Sequence, residues 1–325
     1  MDTTGFENSY EVAVINKDIL AKIRKQENGN LISVHWELKI IFYLGVSLLT
    51  TGLGIIVYKN IDTIGHQAIV AFIALLSASS FFYCYKTKAP FSFQKVEAPN
   101  QIFDYALLLG CLSFVSLIAY LQFEYTLFGN RFGLASFIPL LVLFFSAYYF
   151  DHLGILSLAI TNLAAWAGIT VTPTRILKDN DFNSDSIIYT GILLGILLVV
   201  ASIASKKLKV KAHFEFTYSN FGTHVLFISC LAAMFNFEKT YLLWFLLLLG
   251  ICAFYYIKAL SEKSFYYMLL LTFYGYIGLS YVVIRLMFSL GDDIGSIYLA
   301  FLYFIASALG MIAFLISMNK KLKSS

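Results

Sequence analysis

Few charged side chains fall within the apolar stretches of this 325-residue chain. An ionisable group in lipid is costly unless it pairs, so each one is a candidate for chemistry. Asp151-His152 interrupts two apolar runs. A carboxylate beside an imidazole can orient the ring and handle protons near neutral pH. The plainer reading is a polar turn at the membrane surface. Arg175 and Arg285 each stand five residues after the hydroxyl residue of a shared pattern, Trp166-Ala167-Gly168-Ile169-Thr170 and Tyr276-Ile277-Gly278-Leu279-Ser280. A guanidinium fork binds phosphate or carboxylate through paired hydrogen bonds. Two such forks converging on an outer vestibule would attract an anionic headgroup or solute. The alternatives are snorkelling to the interface and pairing with Glu124, Asp292 or Asp293. Asn162, beside Thr161, either lines a polar path or bonds to a neighbouring helix, worth about 1 kcal/mol. Asp104 and Glu124 mark the two ends of one run, and His224 stands early in a later one.

Catalytic and metal patterns are missing. There is no His-Glu-x-x-His, no Gly-x-Ser-x-Gly and no P-loop. Neither an enzyme nor a cofactor is expected. Cys84, Cys111, Cys230 and Cys252 all sit in apolar runs without a Cys-x-x-Cys pair, as buried small hydrophobes do.

The elements that must position these residues are membrane spans. Hydrophobic residues make up 59% of the chain and charged ones 13%, where a soluble domain is nearer half and a quarter. Nothing in the charge pattern suits nucleic acid. A bilayer core needs roughly 20 apolar residues of helix. Ten runs qualify, near 38–58, 65–85, 102–123, 132–150, 152–173, 187–205, 219–236, 240–257, 264–288 and 294–318. The first begins too late for a cleaved signal peptide and should act as an anchor. A leader, residues 1–37, precedes it, and Ile15, Ile19, Leu20 and Ile23 give residues 15–26 the spacing of a short amphipathic helix. With the N-terminus inside, seventeen lysines and arginines fall on the cytoplasmic side and five outside. That asymmetry places both termini in the cytoplasm.

An internal repeat organises the spans. Lys86-Thr87-Lys88-Ala89-Pro90-Phe91-Ser92-Phe93 returns as Lys209-Val210-Lys211-Ala212-His213-Phe214-Glu215-Phe216. Further matches follow in order: Cys111-Leu112 and Cys230-Leu231, Gln122-Phe123-Glu124 and Asn236-Phe237-Glu238, Tyr148-Tyr149 and Tyr255-Tyr256, and the two arginine patterns. Both copies close on a Lys-Lys-Leu-Lys end. The expected fold is all-α: a two-helix unit at 38–85, then four-helix repeats at 86–208 and 209–325. Four spans per repeat, an even number, make the repeats parallel, related by an axis along the membrane normal. The paired phenylalanines of each seam alternate like short strands or interfacial anchors. Pro139 and Pro173 can break their helices locally, and Gly168, Gly191, Gly195 and Gly278 allow close helix contact.

Gly45-x-x-Leu48, Gly52-x-Gly54 and Tyr58-Lys59-Asn60-Ile61-Asp62 give the first spans a second kind of signal. On these residues the chain resembles the bacterial membrane-protein family catalogued as domain of unknown function 2157, over roughly residues 15 to 90. That family tends to carry Asn-Trp where Asn60-Ile61 stands here. The resemblance implies a bacterial cytoplasmic membrane and no activity.

Two readings of function follow. The leading one is a transporter-like or flippase-like protein with a path between the repeats, where such proteins bind substrate. Its partner would be membrane lipid or a small or lipid-like substrate. The rival is a non-transporting structural or sensory subunit of a membrane complex. A transporter needs a polar or enclosed cavity between the repeats; a scaffold can be packed solid.

Overall fold

The computed structural model describes residues 35–59, 65–171, 185–290 and 294–324. Among these are ten α-helices: α1 His35–Lys59, α2 His66–Thr87, α3 Gln101–Tyr125, α4 Phe132–Phe150, α5 Leu153–Val171, α6 Asp185–Leu208, α7 Glu215–Asn236, α8 Tyr241–Ser261, α9 Phe265–Leu290 and α10 Ile294–Ser324. From α2 onward, nine are long and apolar enough to cross a membrane; α1 has a shorter apolar stretch, Ile40–Ile56. Helices suit lipid because they satisfy every backbone polar group within the segment. The chain is a polytopic α-helical membrane protein. It divides into two compact units, with α1 in the first and α2 to α10 in the second.

Within the second unit, helices adjacent in sequence pack against each other, and one pattern of pairing occurs twice. α3 meets α4 and α5, α4 meets α5, and α5 meets α6; likewise α7 meets α8 and α9, α8 meets α9, and α9 meets α10. The helix before each lysine-rich seam also packs on the helix after it, α2 on α3 and α6 on α7.

Missing side chains allow the α6–α7 pairing. A Cβ added to Gly195 would lie 2.9 Å from the backbone of Leu226, and one added to Gly222 would lie 3.0 Å from the Val199 nitrogen. Without a hydrophobic drive between helices in lipid, close backbone approach supplies the packing energy.

The two seams fold differently despite their matching sequences. The first runs without helix from Lys88 to Asn100, where Asn100 caps α3 by accepting the Phe103 N–H at 2.8 Å. Pro90 and Pro99 hold it extended, because proline removes a donor and biases the preceding residue away from helix. The second seam has no proline. It folds into a 3-10 turn, Ala212–Phe214, and enters α7 at once. The expected strand-like alternation of Phe214 and Phe216 is therefore not found. Phe214 is buried in the turn, and Phe216 is an exposed residue of α7. Pro139 also departs from expectation: it is buried within α4, which continues through it.

Candidate functional site

The groups that converge most tightly lie where the seams meet the α4–α5 turn. Asp151 ends α4 in the left-handed conformation, φ 60°. This turn aims its carboxylate across the second seam. Oδ2 lies 3.1 Å from the Lys211 ammonium, and both side chains are only 1% exposed. Oδ1 lies 2.6 Å from Nε2 of His213, whose side chain is 21% exposed. Oδ2 also accepts the backbone N–H of Val96, in the first seam, at 2.5 Å.

Lys211 completes the junction. Its backbone N–H donates to the Phe93 carbonyl at 2.7 Å, and its ammonium donates to the Gln94 carbonyl at 3.2 Å. The same ammonium lies 5.3 Å from the centre of the Phe91 ring. Ser205 Oγ donates to the Lys211 carbonyl at 3.0 Å. Lys211 also has positive φ, 48°. A non-glycine residue held there costs on the order of 1–3 kcal/mol and persists only where its surroundings over-determine it. Both partners of this buried ion pair carry that strain. The first and second seams thus close on a single carboxylate at the end of α4.

The sequence pointed to Asp151 orienting His152. The carboxylate instead takes an imidazole 62 residues away. His152 is buried and faces α3, with Nε2 3.6 Å from Asp104 Oδ1. Its Nδ1 accepts the Ile155 N–H at 3.1 Å, capping the first turn of α5. That bond assigns the proton to Nε2, toward Asp104. The physical reason is the left-handed turn at Asp151, which sends consecutive side chains to different neighbours.

A second cluster lies at the same end of the molecule. Lys258 pairs with Glu215 at 3.0 Å and donates to Ser219 Oγ at 2.7 Å. Tyr267 donates to the same Ser219 oxygen at 2.9 Å, and Ser202 donates to Glu215. Lys206 and Glu262 pair at 2.7 Å beside it. Tyr148 and Tyr218 join α4 to α7 through their hydroxyls, 2.9 Å apart.

The remaining candidates are dispersed. Arg285 donates to the Tyr281 hydroxyl at 2.7 Å, lies 3.5 Å from Glu238 and stacks its guanidinium 4.6 Å from the Tyr241 ring centre. A carboxylate and two aromatic rings surround it. Arg175 and Pro173, like the leader helix at 15–26, lie outside the described residues, so the convergence of the two arginines is not seen. Asn162 has a buried amide oxygen without a hydrogen-bond partner among the described residues. Between α7 and α9, His224 Nδ1 meets the Tyr274 hydroxyl at 2.7 Å and Nε2 meets the Tyr266 hydroxyl at 3.2 Å. Tyr266 donates onward to Asn220. Among the described residues no group of three or more His, Cys, Asp or Glu could hold a metal ion.

Sequence reading missed Lys211, His213 and the Glu215–Lys258 pair as members of a site. A signal was present. Where the first seam has Pro90 and Ser92, the second has His213 and Glu215. These two ionisable groups appear where the copies differ, whereas Lys211 keeps the lysine of the first copy.

This architecture and its buried polar junctions define a multi-pass membrane protein. Residues 14–156 match a family described as "Predicted membrane protein (DUF2157)", a segment reaching from the leader through α4 to the Asp151 turn and the start of α5. No curated protein and no solved structure matches the chain.

Proposed function

We propose that this chain is a non-transporting structural or sensory component of a bacterial cytoplasmic membrane, with both termini and both seams in the cytoplasm. The helices α3–α6 and α7–α10 are read as its two parallel repeats. The observation that carries this reading is the closed junction where a path between the repeats would run. There Asp151 is saturated by Lys211, His213 and Val96, and α6 packs against α7 with Gly195 at the Leu226 backbone. A buried ion pair is costly to separate, because each charge would be left unpaired.

One observation favours the transporter reading. The His224–Tyr266–Tyr274–Asn220 cluster sets a titratable ring among hydroxyls between α7 and α9, an arrangement suited to passing protons.

Reconstitution separates the two. Purified protein in phosphatidylglycerol–phosphatidylcholine liposomes is assayed for scrambling of fluorescent lipid and for proton leak. Rates equal to protein-free liposomes are expected. A faster rate, lost when Gly191→Cys and Ser229→Cys are oxidised to lock α6 to α7, would establish the transporter reading instead. A Cβ at Gly191 would lie 3.2 Å from Ser229 Cβ, near the roughly 3.5–4.5 Å span of a disulfide.

A further inference from the structure

We propose that the groove between α2 and α4 is a binding site for one anionic phospholipid of the leaflet on the lysine-rich side. An acyl chain would lie in the groove and the phosphate at Lys88 and Lys86. The proposal goes beyond the functional reading above and does not depend on it.

The groove follows from the packing. α2 and α4 both pack on α3, and the space between them is walled by aromatic side chains. Phe81 and Tyr85 of α2, Phe114 of α3, and Phe145, Tyr149 and Phe150 of α4 line a cleft of about 390 Å³. That volume is within the range of roughly 300–1,000 Å³ typical of small-molecule sites. Tyr85 and Phe145 are more than half exposed, so the cleft opens sideways toward lipid rather than into the bundle. Its deeper wall is apolar and suits a hydrocarbon chain.

The mouth has the complementary charge. Lys88 follows α2 directly, with its ammonium 4.0 Å from the Tyr149 ring centre and 4.8 Å from that of Tyr85. It also donates to the Tyr149 hydroxyl. Two lining residues of the groove therefore hold this cation at its rim. Lys86, in the last turn of α2, rests over Phe82.

The contrast with the other lysines at this end identifies the ligand. Lys206, Lys211 and Lys258 each have a carboxylate within 4.0 Å. Among the described residues none lies within that distance of Lys86 or Lys88. Glu97 lines the small depression beyond Lys88, one carboxylate against two lysines. Lys88 stands in the first seam where Lys211 stands in the second, and they engage neighbouring residues of α4, Tyr149 and Asp151. One copy has its anion built in; the other is left with aromatic rings and an open groove. Phe91, exposed and stacked on Tyr149, flanks the mouth, and Phe93, also exposed, meets Phe91 edge-on. Exposed aromatics beside lysines are what the headgroup region of a bilayer accommodates.

The test counts bound lipid. Full-length protein is equilibrated in nanodiscs of mixed phosphatidylglycerol and phosphatidylcholine, extracted into mild detergent and examined by native mass spectrometry. Wild-type protein should retain one phosphatidylglycerol in preference to phosphatidylcholine. Each lysine near an anionic surface is worth about fivefold in binding. Lys86→Gln with Lys88→Gln should thus lower retention roughly 25-fold, while Lys88→Arg keeps it. Val142→Trp, which fills the groove wall, should lower retention with the lysines intact. Should that variant fail to elute as a single species, Phe145→Ala, which opens the wall, is used and should also weaken retention. Equal retention of both lipids overturns the proposal, as does a phosphatidylglycerol preference that survives the double lysine variant. Retention of no lipid by well-folded wild-type protein also overturns it and leaves the groove to a protein partner.

Discussion

Asp151→Asn is the sharpest perturbation of the seam junction. Asparagine tolerates the left-handed backbone at this position and keeps an acceptor for the Val96 N–H. What it removes is the negative charge between Lys211 and His213. Lys211, with its side chain 1% exposed, would keep only the Gln94 carbonyl and the Phe91 ring. Removing one partner of a buried pair costs about 3–5 kcal/mol, because the other charge is left uncompensated. Lys211→Met is milder: Asp151 retains His213 and the Val96 N–H, so the loss is about 1–3 kcal/mol, the range for an unmet buried group. The double variant has no stranded charge. Relief of that uncompensated buried charge should make it more stable than Asp151→Asn alone, by roughly 2 kcal/mol. Equilibrium unfolding of all four proteins in mixed dodecyl maltoside and sodium dodecyl sulfate micelles measures the cycle. Additivity within about 0.5 kcal/mol, the behaviour of independent sites, would refute the claim that these two side chains share one buried site.

Two further predictions concern packing and orientation. Gly195→Ala places a Cβ 2.9 Å from the Leu226 backbone and should destabilise the protein by about 1–3 kcal/mol through overpacking; unchanged unfolding would mean that α6 and α7 are not held this closely. A cysteine at Ser92, in the first seam, should resist an impermeant thiol reagent in intact cells while one at Asn130, between α3 and α4, should react; labelling at Ser92 without lysis would reverse the orientation.

The spans were legible because length and apolar composition suffice to specify a membrane helix. The ten apolar runs correspond to ten helices among the described residues, nine of them long and apolar enough to span, while the first run, expected as a span, has only the shorter apolar stretch Ile40–Ile56. α7 begins at Glu215 rather than near 219, and α10 carries Lys320 to Lys323 within its last turns. Polar residues at helix ends carry no hydropathy signal. Asp151 was legible as a candidate because it interrupts an apolar stretch. Its partners were not, because sequence adjacency favours His152 whereas the left-handed turn sends the carboxylate to Lys211 and His213. The seam was visible as a repeated string, but its role as a junction depends on Phe93 and Lys211 meeting through their backbones. No side-chain pattern reports that contact. Arg285 illustrates the converse: its spacing from Ser280 suggested a binding fork, and the folded chain puts Glu238, Tyr241 and Tyr281 around it.

The junction between α3–α6 and α7–α10 should be closed and stay closed. Paired spin labels at Ser92 and Lys263, in the first seam and the α8–α9 turn, report on it directly by pulsed electron–electron resonance in nanodiscs. One narrow distance distribution is expected, unchanged between about pH 5.5 and pH 8, the range over which histidine titrates. Two distance populations whose proportions move with pH or with added lipid would show a junction that opens, and would contradict it.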